Sequence, residues 1–282
     1  MKFRIVVGTL MVAGLAGLAV ADHLLGSRIL ISALILIVGI AGWWELAVMS
    51  GIAARGPGGS KALFVTGLAA TVYFLSLGWW EGSGASTSPA ALPSGIAGLL
   101  FAAFLSVLFR DDHERGLETC LVTIAGPLLL GFLLSYFIRV YHSENGTLKS
   151  LVLVLGIKGN DVAALFVGRA FGKRHFTSVS PKKTLEGTLG AVLFSMVWFS
   201  AASLLWPGMF FRWPQSLFLG IILSIASQAG DLSESLFKRC YKVKDSSSLL
   251  PEFGGVLDLI DSVLFGGFLF WVLVYASPVV PG

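Results

Sequence analysis

The chain has 282 residues, of which 55% are hydrophobic and 13% charged, and its formal charge is +4. Water-soluble domains carry roughly 25% charged and about 45–50% apolar residues, so a soluble fold of this length has nowhere to hide so much apolar surface. So small a surplus of charge gives no reason to expect a nucleic-acid partner. The two cysteines, Cys120 and Cys240, have neither the spacing of a zinc site nor that of a disulfide framework.

The bilayer is the solvent this composition fits, and the fold expected is an all-α, polytopic helical bundle. The N-terminus, Met1-Lys2-Phe3-Arg4 followed by an apolar run to Val20, reads as a signal peptide or as a first spanning helix, and Ala19-Val20-Ala21 has the form of a cleavage site. More apolar segments follow at once, so a retained helix is the expectation. Spans are predicted near 4–22, 29–50, 62–81, 94–110, 118–140, 149–169, 186–206, 215–237 and 257–275, about nine in all. The breaks between them are turn-forming or charged: Gly56-Pro57-Gly58-Gly59-Ser60, the Gly/Ser/Ala/Pro-rich stretch from Gly82 to Pro93, Arg110-Asp111-Asp112-His113-Glu114-Arg115, and Pro207-Gly208. Residues 1–150 hold about five spans; residues 151–282 hold the rest and the polar motifs.

Cytoplasmic loops are enriched in Lys and Arg. With the N-terminus inside, the inner segments hold Lys2, Arg4, Arg55, Lys61, Arg110, Arg115, Arg169, Lys173, Arg174, Lys182, Lys183, Lys238, Arg239, Lys242 and Lys244. The outer ones hold Arg28, Arg139, Lys149 and Arg212, and Lys158 falls inside a span. This asymmetry predicts N-in, C-out. Trp43-Trp44, Trp79-Trp80, Trp206 and Trp213 sit near span ends and are expected to form interfacial aromatic belts.

Charges inside spans cost on the order of 2.5–3.5 kcal/mol each and need a reason. Glu45 in span two reads as one half of an ion pair with a neighbouring helix or as a group supporting a metal site. In span six, Lys158 and Asp161 are three residues apart and can pair on one face, and Asn160-Asp161 also suits the wall of a polar site. In span eight, Ser224, Ser227, Gln228, Asp231, Glu234, Ser235 and Lys238 recur at offsets of three and four, a polar stripe that must face a helix seam or a water-filled site. At the start of span nine, Asp258 and Asp261 share a helix face. They read either as N-terminal caps or as a pair whose repulsion a divalent cation relieves. Two basic loops, Arg169 to Thr184 and Lys238 to Lys244, accompany these carboxylates. Carboxylates to hold metal and lysines to neutralise phosphate suit transfer at a phosphorus centre. The GxxxxGK[ST] loop of the P-loop nucleotide hydrolases does not occur.

These residues resemble a known family. Gly230-Asp231-Leu232-x-Glu234-Ser235, then Leu236-Phe237-Lys238-Arg239, Lys244-Asp245, Pro251, Gly254-Gly255, Asp258 and Asp261 look like the signature of the phosphatidate cytidylyltransferases (CDP-diacylglycerol synthases). Asn160-Asp161, Gly168-Arg169-x-Phe171-Gly172-Lys173 and Ser180-Pro181-Lys182-Lys183-Thr184-x-Glu186-Gly187 also match, so the likeness runs over about 155–265, with a fainter echo at Trp44-Glu45. Two positions depart from the pattern: Phe253 where a histidine is usual, and Leu259 where an arginine is usual. Each removes a donor to phosphate.

The resemblance implies an Mg²⁺-dependent enzyme, with a monovalent cation such as K⁺ as a companion, which transfers a cytidylyl group from CTP to phosphatidate to give CDP-diacylglycerol and pyrophosphate. It implies Asp231, Asp258 and Asp261 as metal ligands and catalytic groups, with Lys238 and Lys244 beside them. Lys182, Lys183, Arg239, Ser180, Asp161, Asp245 and Arg169 are implied in substrate binding, and Glu234 in the polar shell. The expected setting is a bacterial inner membrane with the site facing the cytoplasm, and a second copy of the chain is a conceivable partner. A cytidylyltransferase for another lipid phosphate, a transporter and a non-catalytic homologue remain as alternatives.

Overall fold

The computed structural model of the chain describes residues 14–53, 60–108, 112–207, 213–247 and 254–276. The first half of predicted span one, the turn at 56–59, and Lys2, Arg4, Arg55, Arg110, Arg212, Pro251 and Phe253 lie outside them. Among the described residues all regular structure is helical, apart from bridge positions at His175, Thr184 and Gly254, the first two paired with each other. The chain is an all-α polytopic membrane protein.

The helices are α1 (Gly14–Leu24), α2 (Ile29–Met49), α3 (Lys61–Gly82), α4 (Ala91–Leu105), α5 (His113–Pro127), α6 (Leu134–His142), α7 (Gly146–Phe171), α8 (Leu185–Leu205), α9 (Trp213–Cys240) and α10 (Val256–Trp271). Among the described residues seven helical stretches are long and apolar enough to cross a bilayer: α2, α3, α5 through α6, α7, α8, α9 and α10 with its extension to Tyr275. Helices α1 and α4 are the shorter apolar ones. Helix α4 has 15 residues, roughly 22 Å at 1.5 Å per residue, against a hydrocarbon core of about 30 Å.

Starts and irregularities follow local chemistry. The side chains of Ser60, Asp112 and Thr184 cap α3, α5 and α8 by accepting from the amides of Leu63, Arg115 and Gly187. Pro127 removes a backbone donor, and the helix continues through a π-helical turn, Leu128–Leu133, before α6 resumes.

The helices form two compact units, Met1–His142 with Asp245–Leu259, and Ser143–Lys244 with Ile260–Gly282. The first unit thus takes in Asp245–Leu259, which includes the first turn of α10. There α3 packs on α2, α4, α5 and α6. Trp43 is fully buried at its centre, and its indole donates to the Phe64 carbonyl at 3.2 Å. A Cβ at Gly67 or Gly126 would strike its ring. In lipid, apolar surface gains little by leaving the solvent, so close approach over small residues supplies the attraction. The aromatic-belt expectation thus needs correcting at Trp43, a core residue, whereas Trp44, Trp79, Trp80 and Trp213 are exposed. In the second unit α8 packs along both α7 and α9. A Cβ at Gly156 would meet Trp198 and Phe199, and one at Gly159 would meet Phe194.

Candidate active site

The polar stripe of α9 divides into two parts of different character. Its deeper part is a hydrogen-bonded seam centred on Asn160 of α7, which is fully buried. The Asn160 amide donates to Ser227 Oγ at 3.0 Å, and its carbonyl accepts from Ser195 of α8 at 2.9 Å and Ser224 at 2.6 Å. Gln228 donates on to Ser224 at 3.1 Å. One amide thus joins α7, α8 and α9, and no polar group of this seam is left to face lipid.

One turn further along, the stripe becomes charged. Carboxylate oxygens of Asp231, Glu234 and Asp261 all lie within 4.8 Å of one another. Glu234 and Asp261 are buried. The approach of α9 to α10 depends on Gly230, where a Cβ would collide with the Asp261 carbonyl. Three lysines answer the carboxylates. Lys183 pairs with Asp231, and Lys238 pairs with Glu234 at 2.5 Å. Lys158 donates to the fully buried Ser262 Oγ at 2.9 Å and lies 3.7 Å from Asp161 and 3.9 Å from Asp261. The sequence expectation for span six is met in that Lys158 and Asp161 pair, and exceeded in that Asp261 shares the same lysine.

Beside the carboxylates opens a pocket of about 550 Å³, lined by Asp161, Arg169, His175, Lys182, Lys183, Thr184, Gln228 and Asp231, with Ala164 and Leu165 on its apolar side. The loop that carries its bases is tied down at both ends. His175 and Thr184 form the isolated bridge, and the His175 Nδ1 lies 2.7 Å from the Pro181 carbonyl. The Glu186 carboxylate accepts from the amides of Lys173 at 3.0 Å and Arg174 at 3.3 Å. Ser180 serves the turn, its carbonyl accepting from Lys183 N at 3.0 Å. Arg239 at the end of α9 and Lys244 in the segment after it are exposed, and neither lines this pocket. His175 was invisible to sequence reasoning because an isolated histidine in a basic loop has no periodicity or spacing to mark it.

In the first unit, residues 245–247 and 254–258 gather around two carboxylates. The side chain of Glu45, 2% exposed, accepts from Ser247 Oγ at 2.6 Å, Ser246 Oγ at 3.1 Å, and the amides of Val256 at 2.9 Å and Leu257 at 2.8 Å. It caps α10 from a different helix. Among the described residues its partners are hydroxyls and amides rather than the base that an ion-pair reading requires.

Asp258 Oδ2 accepts from Ser246 Oγ at 2.7 Å, Ser246 N at 3.0 Å and Gly255 N at 2.8 Å. An acidic group at the third helical position reaching back to the residue before the helix is half of a capping box. The carboxylates the structure gathers thus include Glu234 where the sequence led us to expect Asp258. The physical reason is that a first-turn carboxylate has the unpaired amides of its own helix within reach.

The Gly254-Gly255 pair is required here. Gly254 has φ +88°, and a Cβ on Gly255 would collide with Ser246 Oγ and the Glu45 carboxylate. Asp245 is exposed in this segment, and Leu259 offers no donor. Nothing in the sequence marked the roles of Ser246, Ser247 and Ser262, since serines in short polar runs are common.

Comparison with known proteins adds a family. The profile of the cytidylyltransferase family matches residues 2–277. A phosphatidate cytidylyltransferase of Bacillus subtilis (strain 168) is 32% identical over 202 residues, 71% of this chain and 72% of the relative. Phosphatidate cytidylyltransferase 4, chloroplastic, of Arabidopsis thaliana is 37% identical over 195 residues, 67% of this chain and 47% of the relative. The phosphatidate cytidylyltransferase of Helicobacter pylori (strain ATCC 700392 / 26695) is 38% identical over 135 residues, 48% of this chain and 50% of the relative. The matches thus span about half the length of the last two relatives.

Proposed function

Because the chain belongs to the cytidylyltransferase family, we propose that it transfers a cytidylyl group from CTP to phosphatidate, giving CDP-diacylglycerol and pyrophosphate. The observation that carries this reading is the junction in one unit of a carboxylate group, Asp231, Glu234 and Asp261, with a pocket lined by Arg169, His175, Lys182 and Lys183.

The donor set fits Mg²⁺. It is made only of hard carboxylate oxygens, with no imidazole or thiolate among them. Asp231, Glu234 and Asp261 would hold the ion, which supplies charge neutralisation for the phosphates when bound.

The remaining chemistry belongs to the chain. An oxygen of the lipid phosphate attacks the α-phosphorus of CTP. A bond forms between them, the bond from the α-phosphorus to the bridging oxygen breaks, and pyrophosphate leaves with the electron pair. The attacking oxygen is already anionic, so no side chain has to remove a proton. What the site must do is hold two anions together and neutralise the leaving group. Lys182, Lys183 and Arg169 line the pocket with fixed positive charge for the phosphates. Lys183 and Lys238, paired with Asp231 and Glu234 before substrate arrives, are placed to exchange carboxylate for phosphate. Lys244, Arg239 and Ser180 provide further donors for the substrates, and Asp258 and Asp245 shape the loop in which Lys244 ends. The positive-inside pattern supports a site on the cytoplasmic face of the inner membrane, where CTP arrives from water while acyl chains stay in lipid.

The test is CDP-lipid formation and pyrophosphate release by purified protein in detergent micelles with CTP, phosphatidate and Mg²⁺. Turnover that needs all three is expected. Absence of turnover by folded protein with any of several lipid phosphates and nucleotides would sink the proposal. Turnover confined to a different lipid phosphate would favour the second reading, to which Leu259 in place of a guanidinium gives weight.

A further inference from the structure

His175 lines the pocket, yet the neutralisation of phosphate gives it no task of its own. Its place is fixed by the backbone on both sides. Phe176 N donates to the Lys183 carbonyl at 2.9 Å and Leu185 N to the Arg174 carbonyl at 3.0 Å, so His175 and Thr184 stand opposite each other across an antiparallel bridge. Side chains opposed in this way share a face, and both of these line the pocket. The imidazole is oriented as well, with its Nδ1 2.7 Å from the Pro181 carbonyl. A carbonyl oxygen only accepts, so the proton of the neutral ring sits on Nδ1. Nε2 is then a bare acceptor, and among the described residues it has no partner.

The other polar groups of the pocket differ in kind. Arg169, Lys182 and Lys183 are charged donors. Asp161 and Asp231 pair with Lys158 and Lys183, and Gln228 is buried and tied to Ser224. Ala164 and Leu165 supply apolar surface. A neutral acceptor together with an apolar wall suits a flat, uncharged ring that carries an amino group. Phosphate oxygens are themselves acceptors and gain nothing from a bare Nε2.

We propose that His175 selects the base of the nucleotide: Nε2 accepts a hydrogen bond from the 4-amino group of cytosine, a donor that uracil lacks. The inference rests on the reading of this pocket as the nucleotide site. Cytosine presents an N–H donor where uracil presents a carbonyl oxygen. One fixed lone pair therefore attracts the first and opposes the second. His175 takes no part in making or breaking bonds, which stays with the phosphates and the charged groups around them.

The experiment uses the full chain purified in detergent with Mg²⁺ at about pH 8, where imidazole side chains are neutral. Three nucleotides are compared: CTP, UTP, and the triphosphate of a pyrimidinone riboside in which hydrogen replaces the 4-amino group. The readouts are kcat/KM with phosphatidate, and the rise in unfolding midpoint that each nucleotide gives without lipid. The parent should favour CTP over the 4-hydrogen analogue by ~10-fold, the scale of one hydrogen bond, and over UTP by more. Midpoint rises should follow the same order. The amide of His175→Asn stands in for Nδ1 and keeps the Pro181 bond, but this variant has no Nε2. Its unliganded midpoint should stay within ~2 °C of the parent, and CTP should fall to the level of the analogue while UTP does not fall. His175→Gln carries an amide that can turn either its N–H or its carbonyl to the base, so it should keep CTP and gain UTP.

A parent protein that treats CTP and the 4-hydrogen analogue alike overturns the inference, whether or not any variant folds. So does a His175→Asn protein that keeps the parent's preference, or that loses the same factor with all three nucleotides, as a merely structural role requires. If the parent turns over no nucleotide with any lipid phosphate, the cytidylyl reading fails, and the order of the midpoint rises alone then decides whether His175 reads the base. A parent whose midpoint no nucleotide moves overturns that too.

Discussion

Replacing Glu45 by alanine isolates a carboxylate that acts on a helix other than its own. Four donors converge on it, two serine hydroxyls and the amides of Val256 and Leu257. The hydroxyls have other recourse: Ser246 Oγ already donates to Asp258 Oδ2, and a serine hydroxyl hydrogen turns to suit the acceptors around it. The two amides do not, because they belong to the first turn of α10, where no helical carbonyl is available. Each stranded donor costs about 1–3 kcal/mol, and loss of the anion at a helix N-terminus adds roughly 0.3–1 kcal/mol. A water entering the space left by the side chain recovers part of this. The net expectation is about 3 kcal/mol. At roughly 2–4 °C per kcal/mol this is ~6–12 °C in the unfolding midpoint, read at a fixed scan rate in detergent. Glu45→Gln keeps one acceptor oxygen and should fall between parent and alanine. A Glu45→Ala midpoint within about 2 °C of the parent would refute the argument, because the amides would then have to be satisfied by something else.

Asp231→Asn and Asp261→Asn should each abolish the rise in unfolding midpoint that Mg²⁺ gives the parent and cut turnover by ~100-fold or more, measured by CDP-lipid formation. Asp258→Asn should keep the Mg²⁺-induced rise while lowering the midpoint by itself, since its carboxylate holds Ser246 and Gly255. Asn160→Ala should cost about 1–2 kcal/mol by removing three hydrogen bonds across α7, α8 and α9, with the Michaelis constant for CTP unchanged. Gly255→Ala should be poorly tolerated and should lower yield and midpoint more than Gly98→Ala, because a Cβ at Gly98 has open space around it.

The sequence by itself determined that this chain lives in a bilayer and where most of its helices run. Long apolar runs interrupted by Gly, Pro and charge leave little else for the backbone to do when water is absent. It also determined which residues had to be explained. Charges inside spans are so costly that Glu45, Lys158, Asp161, Asp231 and Asp261 stood out, and the polar stripe of α9 could be read from helical spacing alone. Which member of each set does which task was decided only by tertiary structure. Spacing puts Asp258 and Asp261 on one helix face, but the capping demand of α10 takes Asp258 into the loop while Asp261 joins Asp231 and Glu234. The stripe of α9 is continuous in sequence, and Asn160 of another helix turns its deeper part into a structural seam. Trp43 and Trp44 are neighbours with the same preference for an interface, and the gaps over Gly67 and Gly126 draw only the first into the core. Periodicity specifies the face of a helix on which a side chain lies, whereas its partner can come from a segment more than 200 residues away, as for Glu45, and the pairing is settled by which donor, acceptor or space that segment brings.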